Sequence, residues 1–179
     1  HLIQGGEQAH WLALVEREHN NLRAALAWAI TSRHAAIAME LGWALHPFWS
    51  ARSFVTEQRG WLEKILALDL APTKTRADLL KFASDIASSQ GDYEKARDLE
   101  EEGLAISKIL GDEAGVYYSM DGLARLAGMQ GDYAQAAELL EQALRYWRKV
   151  NDTVRLTTTL NNLAIATRRL GNHERAKQL

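Results

Sequence analysis

A chain of 179 residues with only two prolines and many Ala, Leu, Glu and Arg residues favours helix almost throughout. A net charge of -2 gives no general attraction to nucleic acid or anionic membrane, and the absence of cysteine excludes disulfides, thiolate catalysis and Cys-ligated zinc. The longest apolar stretches, such as residues 24–30, fall far short of the roughly 20 residues that span a bilayer, and a reducing, cytoplasmic setting is expected.

Residues 1–6 have no period, and Gly5-Gly6 suggests a flexible lead-in. From residue 7 to about residue 30, Trp11, Leu14, Val15, Leu22, Leu26 and Ala29 keep to one helical stripe. The opposite side carries Glu16, Arg17, Glu18, Asn20 and Arg23, and Glu18-His19 reads as part of a solvated polar face. Residues 1–34 are therefore expected to be a lead-in and an amphipathic helix that stands outside the repeat. A break rich in cap-type residues, Thr31-Ser32-Arg33-His34, precedes a helix over 35–51, in which Pro47 predicts a kink or a turn. The next helix, 54–68, buries Trp61, Leu62, Ile65 and Leu66, and a loop over 69–75 comes after it.

The C-terminal part repeats itself. Gly91-Asp92-Tyr93 returns as Gly131-Asp132-Tyr133 and, altered, as Gly171-Asn172-His173, forty residues on each time. Ala96, Leu99, Glu101, Leu104 and Asp112 recur as Ala136, Leu139, Glu141, Leu144 and Asp152. Self-similarity at a fixed period of this size predicts an all-α solenoid of antiparallel helix pairs. First helices are expected over 76–90, 117–130 and 156–170, and second helices over 94–110, over 134–150 and from about residue 174. The units are 35–69, 76–110, 113–150 and an incomplete 153–179, with Arg52-Ser53-Phe54 a degraded turn in the first. Each Gly supplies a left-handed φ, and each Asp or Asn after it caps the next helix. Asp112 and Asp152 are expected to cap first helices in the same way.

Leu123-Ala124, Gly131, Tyr133 and Ala136 resemble the tetratricopeptide repeat, as do Leu163-Ala164, Gly171 and Ala176. The long unit is similar to those of kinesin light chains and bacterial regulators, and the resemblance implies a right-handed α–α superhelix. Glu100 stands where that repeat has an aromatic residue or Leu, and Gly103 where it has Ala, so looser packing is expected there. Asn21-Leu22-Arg23-Ala24-Ala25-Leu26, Trp28-Ala29 and residues 61–69 resemble the start of the repeat region in bacterial STAND-type signal-transduction ATPases with DNA-binding domains. This implies a non-catalytic interaction or ligand-sensing arm of a signalling regulator; the alternative is a stand-alone peptide- or pheromone-binding repeat protein. The start at His1 and the stop at Leu179 in mid-pattern predict a piece of a longer protein.

Enzymatic chemistry is not expected. The chain has no phosphate loop and no Gly-x-Ser-x-Gly elbow, and its six histidines are scattered, so no catalytic residue, cofactor or metal ligand is assigned. Glu100-Glu101-Glu102 reads as surface. In the resembled family the ligand face is the concave one, lined by first helices, which here implies Asp78, Lys81, Asp85, Tyr118, Asp121, Arg125, Thr158, Asn161, Asn162, Ile165 and Arg168. Asn162 stands where related repeats hold a peptide backbone through the side-chain amide, which donates and accepts at once; the other reading is a local hydrogen bond. Trp43, Phe48 and Trp49 are either core aromatics or an aromatic pocket. The basic end, from Arg145 to Lys177, is either a solvated surface or an attraction for acidic peptide or nucleic acid. Self-association is expected through the apolar face around Leu160, Leu163 and Leu170. No membrane partner is expected.

Overall fold

The computed structural model describes residues 8–68 and 71–179; the lead-in expected over 1–6 lies outside them. Among the described residues there are nine helices and no strand: α1 (Gln8–Thr31), α2 (Ala35–Ala51), α3 (Val55–Leu66), α4 (Lys74–Ser89), α5 (Tyr93–Leu110), α6 (Glu113–Met129), α7 (Tyr133–Val150), α8 (Thr153–Arg169) and α9 (His173–Gln178). They form two compact units, one holding α1–α3 and the other α4–α9.

In the first unit α2 packs against both α1 and α3. Its core is Leu26, Ala29, Ala38, Met39, Leu45, Phe48, Trp49, Leu62 and Ile65. Helix α2 runs through Pro47 as one helix, so the turn expected there is absent. Leu45, Phe48 and Trp49 on either side of Pro47 are buried, and their packing holds the helix across the missing N–H donor. His19 departs from the expected polar face. It is 8% exposed, stacked on Phe54 at 5.5 Å, edge-on to Phe48 at 4.9 Å, and its Nε2 lies 3.2 Å from Glu57. Glu57 also takes a fork from Arg23 and a 3.2 Å bond from Trp61 Nε1. The Arg23 hydrogen bond is the main reason its carboxyl is held below the usual range.

In the second unit each helix packs on the next, and α4 also meets α6, and α6 meets α8. The first helices thus stand side by side in one layer, with α5 and α7 behind them. On α7 the buried positions Ala136, Leu140, Ala143, Leu144 and Trp147 recur every three or four residues, which puts them on one stripe. Each large side chain so buried contributes about 1.5–3 kcal/mol. Leu140 and Leu144 pack with Ala124 of α6 and Leu163 of α8, while Ala127, Ala136 and Ala166 make a second seam under Tyr133.

The turns obey the recurring triplet. Gly91, Gly131 and Gly171 have φ of 81°, 86° and 84°. The next amide then bonds back five residues: Asp92 N to Ala87 O and Asp132 N to Ala127 O at 2.9 Å, Asn172 N to Thr167 O at 3.1 Å. Asp92, Asp132 and Asn172 cap the helices after them by accepting from the amides of Lys95, Gln135 and Arg175. Asp112 and Asp152 do the same for Gly115 and Arg155. In the first unit the backbone is the same but the side chains are not. Arg33 and Ser53 take φ of 55° and 57° without being glycine, and His34 and Phe54 make no side-chain cap.

Candidate binding face of the stacked repeats

The helix period places Asp78, Lys81 and Asp85 on one face of α4, and Tyr118, Asp121 and Arg125 on the matching face of α6. The structure joins them into a network. Arg125 reaches Asp85 at 2.6 Å and Ser88 Oγ at 2.8 Å. The Tyr118 ring holds the Lys81 ammonium at 4.2 Å and the Arg155 guanidinium at 4.1 Å, both within cation–π range. Asp121 accepts from Trp147 Nε1 at 3.0 Å and from Thr159 Oγ1 at 3.3 Å.

Burial sets the charges of this network. It raises the Asp121 carboxyl against the hydrogen bonds from Trp147 and Thr159. It raises Asp78 against the attraction of Lys74 and Lys81. Lys81 is lowered, first by burial and then by the Arg155 charge nearby. Glu100 contradicts the expected surface run. Its neighbours Glu101 and Glu102 are exposed, but it is 1% exposed, and burial followed by the charge of Asp85 raises its carboxyl to about 7. The looser packing expected around it is absent, since Leu99, Gly103 and Ile106 are buried with it.

Between α6 and α8 lies an open recess of about 260 Å³. Ala124, Gly128, Ala136, Leu140 and Ala166 make its apolar floor, and Arg125, Asn162, Ile165 and Arg169 stand around it. Among the described residues no hydrogen bond occupies the Asn162 amide. The other expected residues of α8 lie elsewhere. Thr158 donates to Val154 O of its own helix, and Asn161 and Arg168 line a second recess, with His173 and Lys177. The aromatic trio of α2 does not share an open surface: Phe48 and Trp49 are 0% exposed, whereas Trp43 is 42% exposed. Trp147, Thr159, Ser88 and Arg169 complete the face, although the motifs do not place them on it. The repeat register was the available signal for them, because Ser88 aligns with Gly128 and Thr159 with Ser119.

Part of the basic end is engaged. Arg175 pairs with Glu141, Lys177 with Glu174, and Arg155 covers Tyr118. Among the described residues no cluster of three His, Asp or Glu side chains is placed to hold a metal, and no helix is long and apolar enough to cross a membrane.

Residues 112–179 match the tetratricopeptide repeat family model. These are tetratricopeptide repeats. The repeat fold is shared with BtubC (BKLC) from P. vanneervenii, 18% identical, which aligns with a TM-score of 0.77 over 96% of this chain and 75% of that one. A Podosopora anserina protein described as a kinesin light chain with nearly identical TPR-like repeats aligns at 19% identity and a TM-score of 0.66, over 93% of this chain and 88% of that one. Two mycobacterial proteins, from Mycobacterium bovis and Mycobacterium tuberculosis, are named as HTH-type transcriptional regulators; each is 38% identical over 55 residues. That stretch is 31% of this chain and 6% of each regulator. The tetratricopeptide fold is that of a protein-interaction module.

Proposed function

We propose that the face formed by α4, α6 and α8 binds an extended peptide segment of a partner protein, without catalysis. The observation that carries this reading is the Asn162 amide, unoccupied at the edge of an apolar recess flanked by Arg125, Ile165 and Arg169. An amide there can donate to and accept from a peptide backbone, and the recess can take an apolar side chain. Panning a random peptide library against the chain, with the Asn162→Ala and Ile165→Glu variants as counter-screens, tests it. Peptides retained by the parent chain and lost from both variants are expected; peptides that bind all three equally would refute the assignment.

We further infer that the chain is the sensing arm of a bacterial signalling regulator similar to STAND-type ATPases with DNA-binding domains. The opening-helix motif and the short likeness to HTH-type regulators support this. A bound peptide would act by favouring one curvature of the repeats, which requires different affinity for two states. The alternative, a stand-alone peptide- or pheromone-binding protein, is separated by reading the full gene: a phosphate loop upstream decides for the regulator. Self-association through α8 and α9 is a further proposal. Leu163 is covered at 1% exposed, and the apolar side chains left exposed there are Val154 at 75%, Leu170 at 52% and Ile165 at 42%. Light scattering that shows a monomer at high concentration would count against it.

A further inference from the structure

Two equivalent seams of the repeat stack are filled in different ways. Leu140 and Asn162 line the open recess between α6 and α8. One repeat earlier, at the α4–α6 seam, the same positions are Glu100 and Gly122. Here the acidic side chain occupies the space that glycine leaves: a methyl on Gly122 would stand 2.8 Å from Glu100 Oε2. The side chain is 1% exposed, and neither carboxyl oxygen has a hydrogen-bond partner. The Ser84 hydroxyl is near enough to favour an ionised Glu100, but its one proton is donated to the Ala96 carbonyl at 3.0 Å, which leaves the carboxyl without it.

The charges that act on Glu100 are Lys81 and Asp85 from α4 and Arg125 from α6. Both cations are held elsewhere, Lys81 on the Tyr118 ring and Arg125 on Asp85 and Ser88. Asp78, Asp121 and Arg155 act on Lys81 rather than on Glu100. A neutral carboxyl is tolerated in such a place, whereas an ionised one without a partner is strongly disfavoured. Ionisation therefore demands either water in the seam or one of the two cations.

We propose that Glu100 is a proton-operated plug beneath the binding face: neutral, it fills the gap over Gly122; ionised, it draws Lys81 or Arg125 off the contacts they make on that face. Burial raises its carboxyl to about 7, so both states are reached around neutral pH. The device changes the charge that the face presents and does not depend on what the face binds.

The test is a carboxyl-detected NMR titration of the whole chain from mildly acidic to mildly alkaline pH, with the Tyr118 ring and the Arg125 side chain followed in the same samples. Glu100→Gln assigns the signal, and Glu100→Leu, which copies Leu140 of the next repeat, is the second variant should the first fail to fold. One Glu carboxyl is expected to titrate near 7 and to vanish in either variant. The Tyr118 or Arg125 resonances are expected to shift with the same midpoint in the parent chain and to stay still in the variant. A Glu100 midpoint in the ordinary carboxylate range overturns the proposal. So does titration near neutrality with both Tyr118 and Arg125 unmoved.

Discussion

Ser53 and Gly91 hold the same kind of left-handed turn at different cost, since a Cβ is disfavoured at φ of 57° and glycine at 81° bears no such penalty. Ser53→Gly is expected to stabilise the α1–α3 unit by about 1 kcal/mol, read as a higher urea midpoint at unchanged slope. Gly122 makes the opposite case, because the space beside it is already taken. Gly122→Ala should cost about 1–3 kcal/mol by overpacking against the Glu100 carboxyl, and combining it with Glu100→Ala should recover part of the loss. A double-mutant cycle that showed simple additivity would mean the two residues do not share that space.

At the level of elements, the turn-and-cap unit explains why the helices start where they do. Asp132 accepts from the Gln135 amide at 3.0 Å, so Asp132→Ala should destabilise the α4–α9 unit by about 1 kcal/mol in chemical denaturation. The repeats were legible in the sequence for the same reason. A positive φ and a cap are local requirements, so Gly-Asp marks the boundary whatever lies around it, and α5 and α7 begin at the residue after the cap. Residues whose environment comes from distant partners were not legible in this way. His19 sits among polar neighbours on α1, and only the arrival of Phe48 and Phe54 buries it. Glu100 heads an acidic run, and only the glycine at position 122 on another helix makes room for it. Pro47 predicts a kink or a turn from its local effect on a helix, and α2 continues through it without a turn, with Phe48 and Trp49 buried beside it. On the binding face the positions on α4, α6 and α8 came from the alignment of the repeats and from the resemblance to tetratricopeptide repeats, which implies a ligand face on the first helices. Their links to Trp147 and Glu100 on second helices did not, because alignment says nothing about which side chains reach across a pair.

At the scale of the molecule, His46 and Glu100 are expected to give the two units pH dependences of opposite sense. In the α1–α3 unit, burial lowers His46 from 6.5 to about 4, with Gln58 at 2.5 Å from its Nδ1. The unfolded chain then takes up the proton first, so stability is full above the unfolded value and falls as pH drops from 6.5 toward 4. In the α4–α9 unit Glu100 is raised from 4.5 to about 7, so its contribution is full below the unfolded value and is lost as pH rises through about 7. Thermal unfolding followed at Trp147 reports the second unit, which contains no other Trp. Its midpoint is expected to fall from mildly acidic to mildly alkaline pH, and Glu100→Gln to flatten that slope. Unaltered slopes in that variant would assign the pH dependence to another group.

Peptide binding by the first-helix face at the recess between α6 and α8 is tested most directly by amide and side-chain NMR of the chain titrated with a peptide selected by panning. Saturable shifts concentrated at Arg125, Asn162, Ile165 and Arg169, with the exposed face of α7 around Glu138 unchanged, are the predicted result. Shifts centred on α7 or on α1–α3, with Asn162 silent, would contradict it.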